Sequence, residues 1–145
     1  MRVIKLSPDD VDMTTPEKVA WYFEEHLAER DPCGQFLLTK GRIREDGIAP
    51  ADLLVFSYLG DIVYIAHAAS ERMDTEGRDA DKYPHFFCVD VDTIRKAAGR
   101  LSELEDALRE AGLCDINLAR TQGWPNIDES GARRQQLERI LETFM

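Results

Sequence analysis

The stretch PADLLVFSYLGDIVYIAHA, residues 50–68, limits the fold more than any other part of the chain. It reads as two strands joined by a tight turn, with Gly60-Asp61 as the two-residue connection. A hairpin with one wet face alternates apolar and polar side chains. Here Leu53 and Val55 point one way while Leu54, Phe56 and Tyr58 point the other. The return strand repeats this, with Val63 and Ile65 opposed to Ile62, Tyr64 and Ala66. Both faces of the hairpin therefore need cover, and a chain of 145 residues has to supply it.

The flanking segments can do so. In TTPEKVAWYFEEHLAERD, Thr14 and Glu17 have capping-box spacing and Pro16 suits a first helical turn. Val19, Phe23 and Leu27, with Ala20, form one apolar stripe, and Trp21 points well away from it. Packing beneath a loop is the expected fate of that ring. GQFLLTKGRI reads as a strand running towards a turn at EDG, and residues 70–82 as a long polar surface loop. YPHFFCVDVD is another strand that is apolar on both faces. LSELEDALREAGL is a helix, with Ser102 and Glu105 as its capping box and Gly112 as its stop. INLARTQGWPNID reads as strand or loop ending in a sharp turn. The last segment, SGARRQQLERILETFM, is an amphipathic helix with Leu137, Ile140, Leu141 and Phe144 inward. The fold class that satisfies these demands is α+β: a small, partly open β-barrel wrapped by three helices.

Length predicts a single domain over residues 1–145, with 1–32 as an N-terminal helical extension. No segment approaches the roughly 18 consecutive apolar residues of a membrane span. The opening MRVIKLSPDDVD lacks the apolar core and cleavage site of a secretory leader, so a cytoplasmic protein is expected. Cys33, Cys88 and Cys114 are odd in number and far apart, which suits reduced thiols rather than a disulfide framework.

A net charge of −10 argues against gripping a long nucleic acid through its phosphates. Charge can still be uneven. Lys40, Arg42 and Arg44 alternate and would project from one side of an extended segment, and Arg133 and Arg134 open the last helix. Solvated surface is the plainer reading of both pairs of features.

Catalytic patterns are missing. The chain carries no G-x-S-x-G, Walker or Rossmann glycine motif. His26, His67 and His85 read as structural or surface histidines. His85 and Cys88 have H-x-x-C spacing but face opposite sides of a strand; Asp90 and Asp92 share a face and read as solvated. No metal, no cofactor and no enzymatic activity are expected. The aromatic residues are more telling: Tyr58 ends one strand, Tyr83 begins another, and Trp124 stands between Gly123 and Pro125. Gly123 permits unusual backbone angles and Pro125 extends Trp124. This tryptophan either plugs the barrel end or walls a cleft, and the area its ring hides favours the plug. Beside it, Thr39, Lys40, Ser57 and Gln122 supply polar groups suited to a flat heterocycle.

The ordered series QFLLTKGRI, IAPADLLVFSY, GDIVYIAHAASE, YPHFFCVDV, LSELEDALRE and QGWPNID resembles the EVE domain, a member of the PUA-like superfamily, over Gln35 to Phe144. Family members commonly carry glycine-aspartate where this chain has Ala51-Asp52. The resemblance implies a PUA-like mixed β pseudobarrel flanked by helices. It also implies a non-catalytic module that recognises a modified base in DNA or RNA. Carried over by position, the ligand site would comprise Thr39, Lys40, Arg42, Ser57, Tyr58, Tyr83, Gln122 and Trp124. The other readings are a protein-interaction module using the helix that bears Trp21 and, more remotely, a small hydrolase.

Overall fold

The computed structural model describes residues 1–145. The hairpin stands at its centre, as β3 (Leu53–Tyr58) and β4 (Asp61–Ala68), with every residue of β3 buried. Around it lie β1 (Arg2–Leu6), β2 (Gly34–Leu38), the short β5 (Met73–Asp74) and β6 (His85–Lys96). They form one curled mixed sheet in the order β1-β3-β4-β6-β2, with β5 added to β6. β1 is parallel to β3; every other pairing is antiparallel. The end strands β1 and β2 do not pair with each other, so the sheet is a half-barrel with a seam. With its helices it is an α+β pseudobarrel.

Three helical segments cover the sheet. The first begins as α1 (Pro16–Trp21), passes through a π turn over Tyr22–His26 and ends in a 3₁₀ turn over Leu27–Glu29. α2 (Leu101–Glu110) and α3 (Arg133–Glu142) follow the strands. Val19, Phe23 and Leu27 drop into the core with Phe36, Phe56 and Phe87, beneath the first segment. On the opposite face Leu53, Val55 and Ile65 meet Leu104 and Leu108 of α2 and Leu137 of α3. Cover on both faces is what the doubly apolar hairpin requires. Each large side chain so buried contributes about 1.5–3 kcal/mol.

Local details depart from the sequence reading. The hairpin turn is Leu59-Gly60, with φ of 51° and 83°, not Gly60-Asp61. Two positive φ values match the twist of the strands, and Asp61 is needed in the ladder opposite Tyr58. The cap of α1 is Thr15, whose hydroxyl accepts from Lys18 N–H at 3.2 Å, one residue later than expected. α2 starts after Arg100, with Glu103 accepting from the Arg100 N–H at 2.8 Å; Ser102 and Glu105 do not cap it. Gly112 does close this helix, at φ 69°.

Two expectations are overturned. Residues 1–32 are not an appended helical extension, because β1 is a strand of the sheet and Tyr22, Phe23 and Leu27 belong to its core. The cysteines are not all reduced: Cys33 is bonded to Cys88, with Cα atoms 5.7 Å apart, and only Cys114 is free. The register Gln35↔Cys88 brings together residues 55 positions apart in sequence, which spacing alone does not reveal. That removes the cysteine ground for a cytoplasmic setting, where structural disulfides are rare. No helix is long and apolar enough to cross a membrane.

Candidate functional site

The seam between β1 and β2 is bridged by the segment 121–127, and β1 holds that segment in place. Val3 N–H donates to Pro125 O at 2.9 Å, and the Arg2 guanidinium donates to Trp124 O at 2.9 Å. The Lys5 ammonium donates to Thr121 O, and the Trp124 indole N–H to Lys5 O at 3.2 Å. Gly123, at φ 77°, makes the bend that sends the ring inward. There Trp124 meets Phe36 of β2 edge-on, with ring centres 6.3 Å apart. One tryptophan thus spans both unpaired edges of the sheet. It seals part of the seam and forms the wall of what remains open.

What remains is a cavity of about 280 Å³. Ligand clefts run from about 300 to 1,000 Å³, so this one suits a single small ring system. Its aromatic lining is Tyr22, Phe36, Tyr83 and Trp124. Its cations are Lys5, Arg30, Arg42 and Lys82, and its carboxylates are Asp9, Asp10 and Asp12. None of these seven charged groups forms an ion pair within 4.0 Å. A net-acidic chain therefore has a cavity whose lining is not acidic overall. Burial holds the Lys5 ammonium below its ordinary value. Burial also raises Tyr22 well above the usual phenol range, with Arg30 opposing and Asp12 and Asp10 adding to the shift.

Four of the eight expected site residues meet here: Thr39, Arg42, Tyr83 and Trp124. Thr39 and Arg42 belong to a turn after β2, with Gly41 at φ 81° and the Arg42 Nε donating to Thr39 Oγ1 at 3.4 Å. The Arg42 guanidinium lies 5.3 Å over the centre of the Trp124 ring. Lys40 and Gln122 are exposed and lie outside the lining. Ser57 and Tyr58 are buried in β3, because β1 pairs along that strand. Tyr58 opens on a separate shallow depression beside α1, with Val19 and Tyr64.

The expected basic row does not form. β2 ends at Leu38 and the chain turns, so Lys40, Arg42 and Arg44 share no face and only Arg42 reaches the cavity. Arg133 and Arg134 are engaged too, Arg133 with Asp128 at 3.6 Å and Arg134 with Glu129 at 2.7 Å. His85 meets Asp74 at 3.1 Å while Cys88 faces the disulfide, so this pair separates as strand alternation predicts. Trp21 is not under a loop: it is 46% exposed and stacks on His26 at 4.5 Å.

Sequence reasoning missed Tyr22, Arg30 and the aspartates of residues 7–13. One signal was available, since Asp10 caps the short 3₁₀ turn Val11–Met13 by accepting from Asp12 N–H at 2.9 Å. No protein family, curated protein or solved structure matches this chain.

Proposed function

We propose that the chain is a non-catalytic binding module that recognises a modified base in DNA or RNA, with the seam cavity as its site. The observation that carries this reading is the convergence of Thr39, Arg42, Tyr83 and Trp124, from three separate segments, on one ring-sized cavity. Aromatic walls suit any base, because every base has a π-face. The unpaired cations suit a backbone phosphate near the mouth without the long basic track that the net charge of −10 denies. A reader that holds one extruded base depends little on many phosphates.

One backbone feature is compatible with the EVE and PUA-like resemblance, at Ala51. Its φ of 72° is a left-handed conformation that glycine adopts freely, and glycine is the family's usual residue at this place.

Titration at low salt with short oligonucleotides, modified and plain, tests the reading. The modified strand is expected to bind at least tenfold tighter. Trp124→Ala is expected to weaken that binding roughly 5- to 150-fold, the range of one base–aromatic stack. Equal or absent binding to both strands removes the base-reader role.

The half-exposed Trp21 favours a second reading, a protein contact through the first helical segment. A stable assembly in solution that Trp21→Ala dissolves would put it first.

A further inference from the structure

The seam runs between two end strands that are held in different ways. β1 is tied to the segment 121–127 through Arg2, Val3 and Lys5. β2 has a hydrogen-bonded partner on one side only, β6, over the pairs from Gly34↔Val89 to Leu38↔His85. The chain entering β2 is looser still. Asp31 and Pro32 are exposed, and the Cys33 carbonyl accepts from Gln35 N–H at 2.7 Å, within its own strand's approach. No backbone hydrogen bond joins residues 31–33 to another strand, so the bond from Cys33 to Cys88 is what ties them to the sheet.

The two sulfurs differ in access. Cys88 is 6% exposed and held in place, its N–H donating to Ser70 Oγ at 2.8 Å and its carbonyl accepting from Ala69 N–H at 2.7 Å. Cys33 is half-buried, next to the exposed Asp31 and Pro32. Thiol–disulfide exchange needs one reachable sulfur, and exposed disulfides are the labile, regulatory ones. Re-forming the bond needs the pair to stay close. Gly34 provides for that: a Cβ there would stand 2.5 Å from Val89 O, so only glycine lets β2 approach β6 this tightly. The ladder then keeps Cys33 beside Cys88 whether or not the bond is made. A domain of 145 residues buries enough surface to fold without a covalent staple.

The residues that this bond steadies line the cavity. Arg30 precedes Cys33 and Phe36, Leu37 and Thr39 follow it, while Lys82 and Tyr83 lead into the strand of Cys88. Phe36 is the ring that meets Trp124 across the seam. We propose that Cys33 and Cys88 form a reversible redox switch on the seam cavity, clamping it when oxidised and loosening it when reduced. The reductant is a dithiol. One of its thiolates attacks Cys33 Sγ, and Cys88 leaves as a thiolate that takes up a proton. Its second thiolate then breaks the mixed disulfide, and Cys33 leaves and takes up the other proton. Two electrons pass to the protein, and the reductant departs as a disulfide. The switch acts on the cavity whichever ligand it takes.

The test compares the intact, folded protein before and after millimolar dithiothreitol, without denaturant. Alkylation read by mass is expected to find only Cys114 before reduction and all of Cys33, Cys88 and Cys114 after it. Amide exchange over residues 30–38 should quicken at least tenfold, with α2 changed less than twofold. In a Trp21→Phe chain, whose indole emission comes from Trp124 alone, acrylamide quenching should rise at least twofold on reduction. Oxidised glutathione should reverse all three readings. Cys33→Ser should show the reduced-state exchange and no response to reductant, while Cys114→Ser should respond in full. The switch is overturned by a bond that resists reduction until the protein unfolds, by exchange that quickens equally in α2, by quenching that does not move, or by changes that oxidant cannot reverse. Each of those results leaves the base-reader reading where it stands.

Discussion

The face of the sheet beneath the first helical segment is packed with rings, whereas the face beneath α2 and α3 is packed with aliphatic chains. On the first, Phe23 stacks on Tyr64 at 4.7 Å and meets Phe56 at 4.6 Å, and Phe36 meets Phe87 at 5.5 Å. On the second, Val55, Ile62 and Ile65 interlock with Leu104, Leu108 and Leu137, and no ring is fully buried. Branched aliphatic chains between two helices and a sheet fill space without polar atoms. Rings are larger and stiffer, leave angular gaps, and in tyrosine carry a hydroxyl to be placed. The cavity lies on the ring-packed side, at the seam, where Phe36, Tyr22 and Trp124 meet. Two helices close one face, while a single irregular helical segment and a crossing tryptophan incompletely close the other.

Breaking each face separately should give the largest effects. Phe56→Ala is expected to cost about 3–5 kcal/mol and Leu104→Ala about 2–5 kcal/mol in urea unfolding. Only Phe56→Ala should also alter Trp124 emission, because that ring shares its cluster. Equal changes in emission would show that the two faces are mechanically one core.

The disulfide is the next difference, since it ties β2 to β6 on the edge that borders the cavity. Cys33→Ala is expected to cost about 2–4 kcal/mol. Its hydrogen-exchange losses should concentrate in β2 and leave α2 protected. Uniform loss of protection would count against a local role.

Alkaline pH separates the faces in a further way. Burial raises Tyr22 above the ordinary phenol value and, with Glu24 adding, Tyr64 is pushed up to about 12. The unfolded chain then releases those protons first, so this stabilisation is complete below about pH 10 and lost as pH rises through the folded values. Tyr22→Phe with Tyr64→Phe should flatten that decline. Persistence of the full slope in the double variant would assign it to other groups.

Smaller effects belong to the surface. Ala51→Gly relieves a left-handed alanine and is expected to stabilise by about 0.5–1 kcal/mol, read as a raised melting temperature. Arg42→Ala should change stability by less than about 0.5 kcal/mol while weakening binding of a phosphate-bearing ligand. A large loss of stability there would make Arg42 a structural clamp on Trp124.

Half of the expected site was legible because Thr39, Arg42, Tyr83 and Trp124 stand at the ends of readable elements, where strands and tight bends release side chains to an edge. Ser57 and Tyr58 fall outside the cavity because their strand is paired along its whole length. β1 covers it, and MRVIKL gave no turn signal or alternation long enough to announce a parallel strand. The same omission hid why Trp124 sits where it does, since its hydrogen bonds run to Arg2 and Lys5. The disulfide escaped because strand register, a long-range property, decides which cysteines meet.

Periodicity and apolar runs alone pointed to an α+β fold, a partly open barrel with both faces covered, since buried area depends on which side chains alternate and not on what they touch. Where the barrel stays open was settled only in three dimensions. A seam exists because β1 and β2 end the sheet unpaired, and pairing between distant segments is a choice among competing contacts that no local stretch encodes.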